Sequence, residues 1–127
     1  MVGVLLVCHY HLGEALLECA THVLGAPPER CAALAVGRDD CIDTVEEKAR
    51  RLLDVLDGGD GVLVLTDLFG ATPANAAQRL AEPGRVRVAA GLNLPMLVRA
   101  LCYRALPVDE VTVKALEGAR NGILDMQ

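Results

Sequence analysis

The sequence predicts a single α/β domain, residues 1–127, built on a doubly wound and mainly parallel sheet. Short apolar runs alternate with segments whose apolar residues recur at helical spacing, the pattern of repeated strand-helix units. One run, Val2–Cys8, ends at His9, and another, Gly61–Thr66, ends at Asp67. In the common strand order 2-1-3-4 the first and third strands are neighbours, and sites form at the carboxyl ends of such strands. We therefore expect His9 and Asp67 to face each other at this edge of the sheet.

The first two strand-helix units occupy the first half of the chain. After the first strand, apolar residues at helical spacing indicate a helix, and Gly25 with the prolines that follow it ends that helix. The apolar residues are Leu12, Leu16, Cys19 and Val23. Cys31–Val36 predicts a second strand near the edge of the sheet. The second helix is predicted to begin at a capping box of Thr44 and Glu47 and to end before a pair of glycines.

The second half of the chain continues the alternation. After the strand that precedes Asp67, Thr72 and Pro73 fit the N-cap and first position of a helix that runs through Ala81. The remaining segments predict a strand at Val86–Ala90, two helices at Asn93 to about Arg104 and at Val108–Gly118, and a short terminal strand at Ile123–Met126. Right-handed crossovers then place helices on both faces of the parallel sheet.

The composition restricts the functions open to the chain. A net charge of −5 with no basic cluster argues against binding to nucleic acid or to a lipid surface. Hydrophobic residues make up 53% of the chain, yet no apolar run approaches the ~20 residues of a membrane helix. The first residues lack the positive segment of a signal peptide, so we expect a cytoplasmic protein. Part of the apolar excess is expected to lie between the subunits of a homodimer.

The predicted pair of His9 and Asp67 suits nucleophilic chemistry at the histidine ring. A carboxylate that accepts a hydrogen bond from one ring nitrogen fixes the tautomer and leaves the other lone pair able to attack. Beyond Asp67, Gly70 permits a tight turn, and Ala71 leads to Thr72, which supplies a hydroxyl beside unpaired backbone amides. The start of a helix favours a dianion such as a phosphoryl group. The alternative interpretation is a well-capped loop without a ligand.

Other interpretations of the same residues remain open. His11 forms a His-x-His pair with His9, and with Asp67 the two could make the metal triad of a metal-dependent hydrolase. A solvent-facing His11 in the first helical turn is the favoured interpretation. Cys8 beside His9 suggests a thiol-imidazole dyad, but adjacent strand residues point to opposite faces, so we expect Cys8 in the core. A receiver-like signalling domain would need an acidic cluster after the first strand, which this chain lacks.

Three segments of the chain carry a family resemblance. They are Cys8-His9 with Leu12 and Glu14–Leu17, the loop Asp67–Asn75, and Gly91–Leu97. In order and spacing they resemble the mannose-type enzyme IIA family, the cytoplasmic phosphocarriers of the bacterial phosphotransferase system. The resemblance covers nearly the whole chain. The phosphocarrier subunit of a dihydroxyacetone kinase shares this fold and histidine, but the second and third segments are more similar to the sugar-system branch.

The resemblance implies a phosphorelay centred on His9. The matching histidine accepts a phosphoryl group at Nε2 from the histidine phosphocarrier protein HPr and passes it to a histidine of a IIB protein. Asp67 would orient the ring, and Thr72 would reach the phosphoryl oxygens with the amides near Gly70 and Ala71, without a metal or other cofactor. The same residues would serve sugar uptake or a purely regulatory relay.

The family also implies an assembly and shows where this chain departs from it. It implies a homodimer in which Ile123–Met126 forms a swapped antiparallel strand. We expect the IIB acceptor to be a separate protein, so that contact with the membrane is only indirect, through a permease complex. Tyr10 stands where the family has a small residue, usually glycine, and Cys8 stands where serine or threonine is common. Ala71-Thr72 replaces a glycine-serine pair, and the threonine keeps the hydroxyl.

Overall fold

The computed structural model describes all of residues 1–127 and contains one four-stranded sheet. The strands are β1 (Gly3–His9), β2 (Cys31–Val36), β3 (Val62–Thr66) and β4 (Val86–Ala90). Their order is β2-β1-β3-β4 with every pair parallel, which confirms the predicted topology. In this register His9 lies beside Val36, and Val7 lies beside Thr66. The residues that follow β1, β2 and β3 therefore meet at one edge of the sheet.

Five helices cover both faces of the sheet, as predicted. They are α1 (Leu12–Leu24), α2 (Ile42–Leu56), α3 (Thr72–Gln78), α4 (Leu94–Cys102) and α5 (Val108–Asn121). The side chains of β1 alternate between two cores. Leu6 and Cys8 belong to the core beneath α1, α4 and α5, whereas Leu5 and Val7 belong to the core beneath α2 and α3. Burial on both faces explains why β1 is an unbroken apolar run.

Helix α1 packs through different residues from those that the apolar spacing indicated. Three of the four residues that define the apolar spacing, Leu12, Cys19 and Val23, are exposed. The buried residues are Gly13 and Ala20. A Cβ at Gly13 would lie only 3.2 Å from Cβ of Ala33, so α1 approaches the sheet through its small residues. The predicted end of the helix is confirmed, because Gly25 adopts a left-handed backbone with φ +86°.

The predicted capping box of α2 is wrong. The helix begins two residues earlier than Thr44, at Ile42, with Cys41 in the N-cap position. Thr44 therefore lies inside the first turn, where its hydroxyl is 3.1 Å from Sγ of Cys41 rather than at a backbone amide. Ile42 packs against the core beneath α2 and α3, and this apolar contact favours the earlier start.

Helix α3 is shorter than predicted and begins one residue earlier, at Thr72 rather than at Pro73. Ala71, with φ −89° and ψ 169°, occupies the N-cap position that the sequence assigned to Thr72. The helix ends at Gln78 rather than at Ala81. The N–H of Ala81 donates to the carbonyl of Gln78 at 3.2 Å, a tighter turn that interrupts the helical hydrogen-bond pattern.

Arg104 connects the second half of the chain to the start of the sheet. The side chain is 8% exposed, and Nε donates to the carbonyl of Val2 at 3.0 Å. Nη2 donates to the carbonyl of Arg30 at 3.1 Å. The carbonyl of Arg104 in turn accepts the N–H of Val2 at 2.8 Å. These three bonds satisfy backbone groups at the amino ends of β1 and β2.

The last residues leave apolar side chains in solvent. Residues 123–127 follow α5 without regular secondary structure in the single chain. Ile123, Leu124 and Met126 are all exposed. The predicted swapped strand thus stays a prediction. None of the helices has both the length and the apolar character needed to span a membrane.

Candidate functional site

His9 and Asp67 meet at the carboxyl ends of β1 and β3, as the sequence predicted. Nδ1 of His9 lies 2.9 Å from Oδ2 of Asp67. Because a carboxylate only accepts hydrogen bonds, this contact places the ring proton on Nδ1. Nε2 makes no hydrogen bond within the chain, and the imidazole is 48% exposed. The ring therefore presents a nucleophilic lone pair to solvent while its other nitrogen is held.

The Asp67 carboxylate is itself tightly placed. Its side chain is only 11% exposed, and Oδ2 also accepts the backbone N–H of His9 at 3.1 Å. Oδ1 accepts the N–H of Leu68 at 3.0 Å. Partial burial on its own would raise the pKa of Asp67, but the hydrogen bonds from the ring and backbone of His9 outweigh it and lower the pKa below its usual value. The carboxylate is ionised at neutral pH and ready to stabilise a positive charge on the ring.

A shallow cleft opens beside the His9 ring, between the ends of β1 and β2 and the start of α3. Its lining residues are His9, Tyr10, Val36, Gly37, Arg38, Thr72 and Pro73. Thr72 is exposed, and its hydroxyl makes no hydrogen bond within the chain. The hydroxyl is therefore available to a group bound at His9, and the phosphoryl-binding role of Thr72 stays a prediction.

The other two predicted phosphoryl-binding residues do not line this cleft. Gly70 turns the loop with φ +86° and lines a separate cavity together with Phe69. The N–H of Ala71 is already donated to the carbonyl of Leu68 at 3.3 Å. The structure thus places Thr72 in the cleft beside His9, and the phosphoryl-binding role of Gly70 and Ala71 stays a prediction.

Tyr10 adopts an unusual backbone directly after the histidine. Its φ of +52° lies in the left-handed region that glycine occupies without strain. The N–H of Tyr10 donates to the carbonyl of Val36 at 2.8 Å, which fixes this conformation. The ring is 70% exposed and lies 4.1 Å, centroid to centroid, from the ring of His11. Tyr10 therefore forms one wall of the cleft at a position where chain geometry favours glycine.

The structure disfavours the two alternative sites built from the same segment. Nδ1 of His11 lies 3.4 Å from Oε2 of Glu14, and no three His, Cys, Asp or Glu side chains are placed to hold a metal ion. Cys8 is fully buried in the core, as predicted. Burial, with the nearby charge of Asp67, raises the pKa of the Cys8 thiol to about 12. Such a thiol is not a nucleophile at neutral pH.

Sequence reasoning missed the one arginine of the cleft. Arg38 lies in the turn after β2, two residues beyond Val36, and reaches the cleft only because Val36 pairs with His9. The signal was a cation just past the end of a predicted strand, at the edge where His9 was expected. Arg38 forms none of the ion pairs of the chain.

Comparisons with known proteins agree with the fold. The family described as "PTS system fructose IIA component" matches residues 3–116. The mannose-specific EIIAB component of Escherichia coli K12 is 33% identical over 125 residues, which are 96% of this chain and 38% of that protein. The chain thus spans well under half the length of that relative. The fructose-specific EIIA component of Bacillus subtilis 168 is 34% identical over 105 residues, or 82% of this chain and 71% of that protein.

Solved structures give the same result. The phosphotransferase system component EIIA from Streptococcus agalactiae superimposes with a TM-score of 0.87 at 26% identity, covering 98% of this chain and 97% of that one. The mannose/sorbose-specific IIA subunit from Enterococcus faecalis shares the fold, with a TM-score of 0.87 at 24% identity over 99% of this chain and 95% of that one. The family match spans all four strands and four of the five helices in full. The chain therefore belongs to the mannose/fructose-type IIA family of sugar phosphotransferase system components.

Proposed function

We propose that this chain is a cytoplasmic phosphocarrier that takes a phosphoryl group from HPr on His9 and passes it to a histidine of a IIB protein. The observation that carries the proposal is the half-exposed His9 ring, whose Nδ1 is held by Asp67 while Nε2 is unengaged. Membership of the IIA family supports this assignment, because such components belong to a phosphoryl-transfer chain. Sugar uptake and regulation would use the same transfer.

The transfer is balanced without a metal or a proton shuttle. The Nε2 lone pair of His9 forms a bond to phosphorus as the bond from phosphorus to the donor histidine nitrogen breaks, and the electron pair of that bond returns to the donor ring. Nδ1 of His9 keeps its proton, and the ring gains a positive charge that the Asp67 carboxylate stabilises. Thr72 donates its hydroxyl to a phosphoryl oxygen. The reverse sequence delivers the group to the IIB histidine.

The proposal is tested by phosphorylating the purified chain. Incubation with enzyme I, HPr and phosphoenolpyruvate is followed by intact-mass measurement at neutral pH, because a phosphohistidine is lost in acid. We expect one phosphoryl group on the wild-type chain and on His11→Ala, and none on His9→Ala. Labelling that survives in His9→Ala, or that disappears only in His11→Ala, would overturn the assignment.

We also propose that the chain forms a homodimer through its last residues. Ile123, Leu124 and Met126 are exposed, and Ile123 lines a cavity together with Ala90 at the end of β4. Strand β4 is the last strand of the sheet and has an unpaired edge. An apolar segment and a free strand edge are both liabilities for a single subunit, and pairing them across two subunits removes both.

A further inference from the structure

We infer that Arg38 binds the phosphoryl group carried by His9, an inference that rests on the proposed function. Arg38 lines the same cleft as the His9 ring and the Thr72 hydroxyl. Apart from His9 itself, it is the only side chain in this lining that can carry a positive charge. The role is one of phosphoryl recognition, separate from the orienting role of Asp67.

The backbone holds Arg38 at the mouth of the cleft. His9 and Val36 are partners in the β1–β2 register, and the N–H of Tyr10 donates to the carbonyl of Val36 at 2.8 Å. The next residues form a turn that is closed by two hydrogen bonds between Gly37 and Asp40. Oδ2 of Asp40 accepts the N–H of Gly37 at 2.6 Å, and the N–H of Asp40 donates to the carbonyl of Gly37 at 3.2 Å. Arg38 projects from this turn, so its starting point is fixed relative to His9.

The guanidinium of Arg38 is available for a ligand. Half of the ten arginines of the chain are held in ion pairs, and Arg30 and Arg104 bind backbone carbonyls. The paired ones are Arg50, Arg51, Arg79, Arg85 and Arg87. Arg38 makes no contact of either kind, although Asp39 and Asp40 are its neighbours in sequence. Its positive charge is therefore unmatched in the unphosphorylated protein.

Phosphorylation supplies the missing negative charge. The site holds the Asp67 carboxylate 2.9 Å from the ring of His9 before any phosphoryl group arrives. A phosphoryl dianion on Nε2 would add two further negative charges, which the positive ring offsets only in part. A guanidinium presents donors in a planar fork that matches phosphoryl oxygens, so Arg38 both neutralises and orients the group.

The experiment uses the full chain and the same donor system, with Arg38→Gln as the main variant. Arg38→Lys keeps the charge, and Lys114→Gln removes a cation from α5, outside the cleft, where Nζ lies 5.0 Å from the centre of the Tyr103 ring. We expect Arg38→Gln to lower the maximal transfer rate about ten-fold, while the half-saturating HPr concentration changes far less. Arg38→Lys should recover a substantial part of the rate, and Lys114→Gln should match wild type.

A second measurement separates phosphoryl contact from any effect on folding or partner binding. The ³¹P resonance of phosphorylated chain is followed against pH, and it reports the pKa of the phosphoryl group itself. The titratable and charged groups that line the cleft or contact His9 are His9, Tyr10, Arg38 and Asp67. Asp39 and Asp40 follow Arg38 directly in the chain. Loss of the guanidinium should raise the phosphoryl pKa by roughly half a unit or more, whereas Arg38→Lys should leave it near the wild-type value.

The outcomes are distinct. A wild-type rate and ³¹P titration in Arg38→Gln would overturn the inference. A raised half-saturating HPr concentration with an unchanged titration would also overturn it, because Arg38 would then contact the partner protein rather than the phosphoryl group. Failure of the proposed function has a different signature, since the wild-type chain would then remain unlabelled or His9→Ala would still be labelled.

Discussion

Oδ2 of Asp67 contacts His9 twice, accepting its backbone N–H at 3.1 Å and lying 2.9 Å from Nδ1 of its ring. One carboxylate oxygen thus fixes both the main chain and the side chain of the same residue. This arrangement ties the end of β3 to the end of β1 and leaves the ring only one nitrogen with which to react. The first prediction follows from it.

Asp67→Ala should slow phosphoryl transfer to His9 by about ten- to more than a hundred-fold. The ring loses a charge-assisted hydrogen bond of roughly 1.5–3 kcal/mol, the tautomer is no longer fixed, and the positive charge on the phosphorylated ring is unopposed. Rapid-quench kinetics with phosphorylated HPr measure the rate. Asp54→Ala, which removes an exposed carboxylate from α2, is the control and should transfer at the wild-type rate. A folded Asp67→Ala chain with unchanged kinetics would exclude the carboxylate from the mechanism.

Thr72→Val should reduce the transfer rate less, by about two- to ten-fold. The substitution removes one neutral hydrogen bond of roughly 0.5–1.5 kcal/mol and keeps the shape of the side chain. Thr72→Ser keeps the hydroxyl and should remain close to wild type. Equal rates in Thr72→Val and Thr72→Ser would show that the hydroxyl does not reach the phosphoryl group.

Stability should fall in alkaline solution because of Cys8. The pKa of this thiol is raised from 9.0 to about 12 in the folded chain, so the unfolded chain loses the proton first. The native state is therefore disfavoured by up to about 1.4 kcal/mol for each pH unit above pH 9, and the loss levels off near pH 12. Urea unfolding at several pH values should show a shallower decline for Cys8→Ala. Cys102→Ala, which removes an exposed thiol, should decline as wild type does.

Light scattering should report about twice the 13.4 kDa mass of one chain. Truncation after Asn121 removes Ile123, Leu124 and Met126, and should shift the chain toward monomer or make it insoluble, because the edge of β4 is left unpaired. Val55, an exposed apolar residue of α2, provides a control, and Val55→Ala should remain dimeric. A monodisperse wild-type monomer at tens of micromolar would contradict the dimer.

The sheet and the His9–Asp67 pair were predictable from sequence because they depend on short-range patterns. Buried parallel strands are unbroken apolar runs, and the strand order alone brings the ends of β1 and β3 together. The face of α1 was not predictable in this way, since Gly13 packs by allowing close approach rather than by burying a large apolar group. The spacing of large apolar residues along a helix does not indicate a contact made by a glycine.

The remaining differences come from contacts between segments distant in sequence. The start of α2 depends on Ile42 joining a core built by other elements, which outweighs the capping preference of Thr44. Arg38 was missed for a related reason. Its place beside His9 depends on the residue-by-residue register of β1 with β2, and sequence patterns specify the existence of that pairing better than its register.

The hydrogen bonds of Arg104 have a consequence for how the protein is made. Synthesis proceeds from the amino terminus, so β1 and β2 leave the ribosome long before residue 104 exists. Until it emerges, the carbonyl of Val2 has only water to bind, and the carbonyl of Arg30 has only the N–H of Val4 as a partner within the chain. Strand β3, the other neighbour of β1, also arrives late. Strand β1 is thus made first but is among the last strands to complete its hydrogen bonds. Nascent chains that end before Arg104 are therefore expected to depend on chaperones to protect their apolar strands.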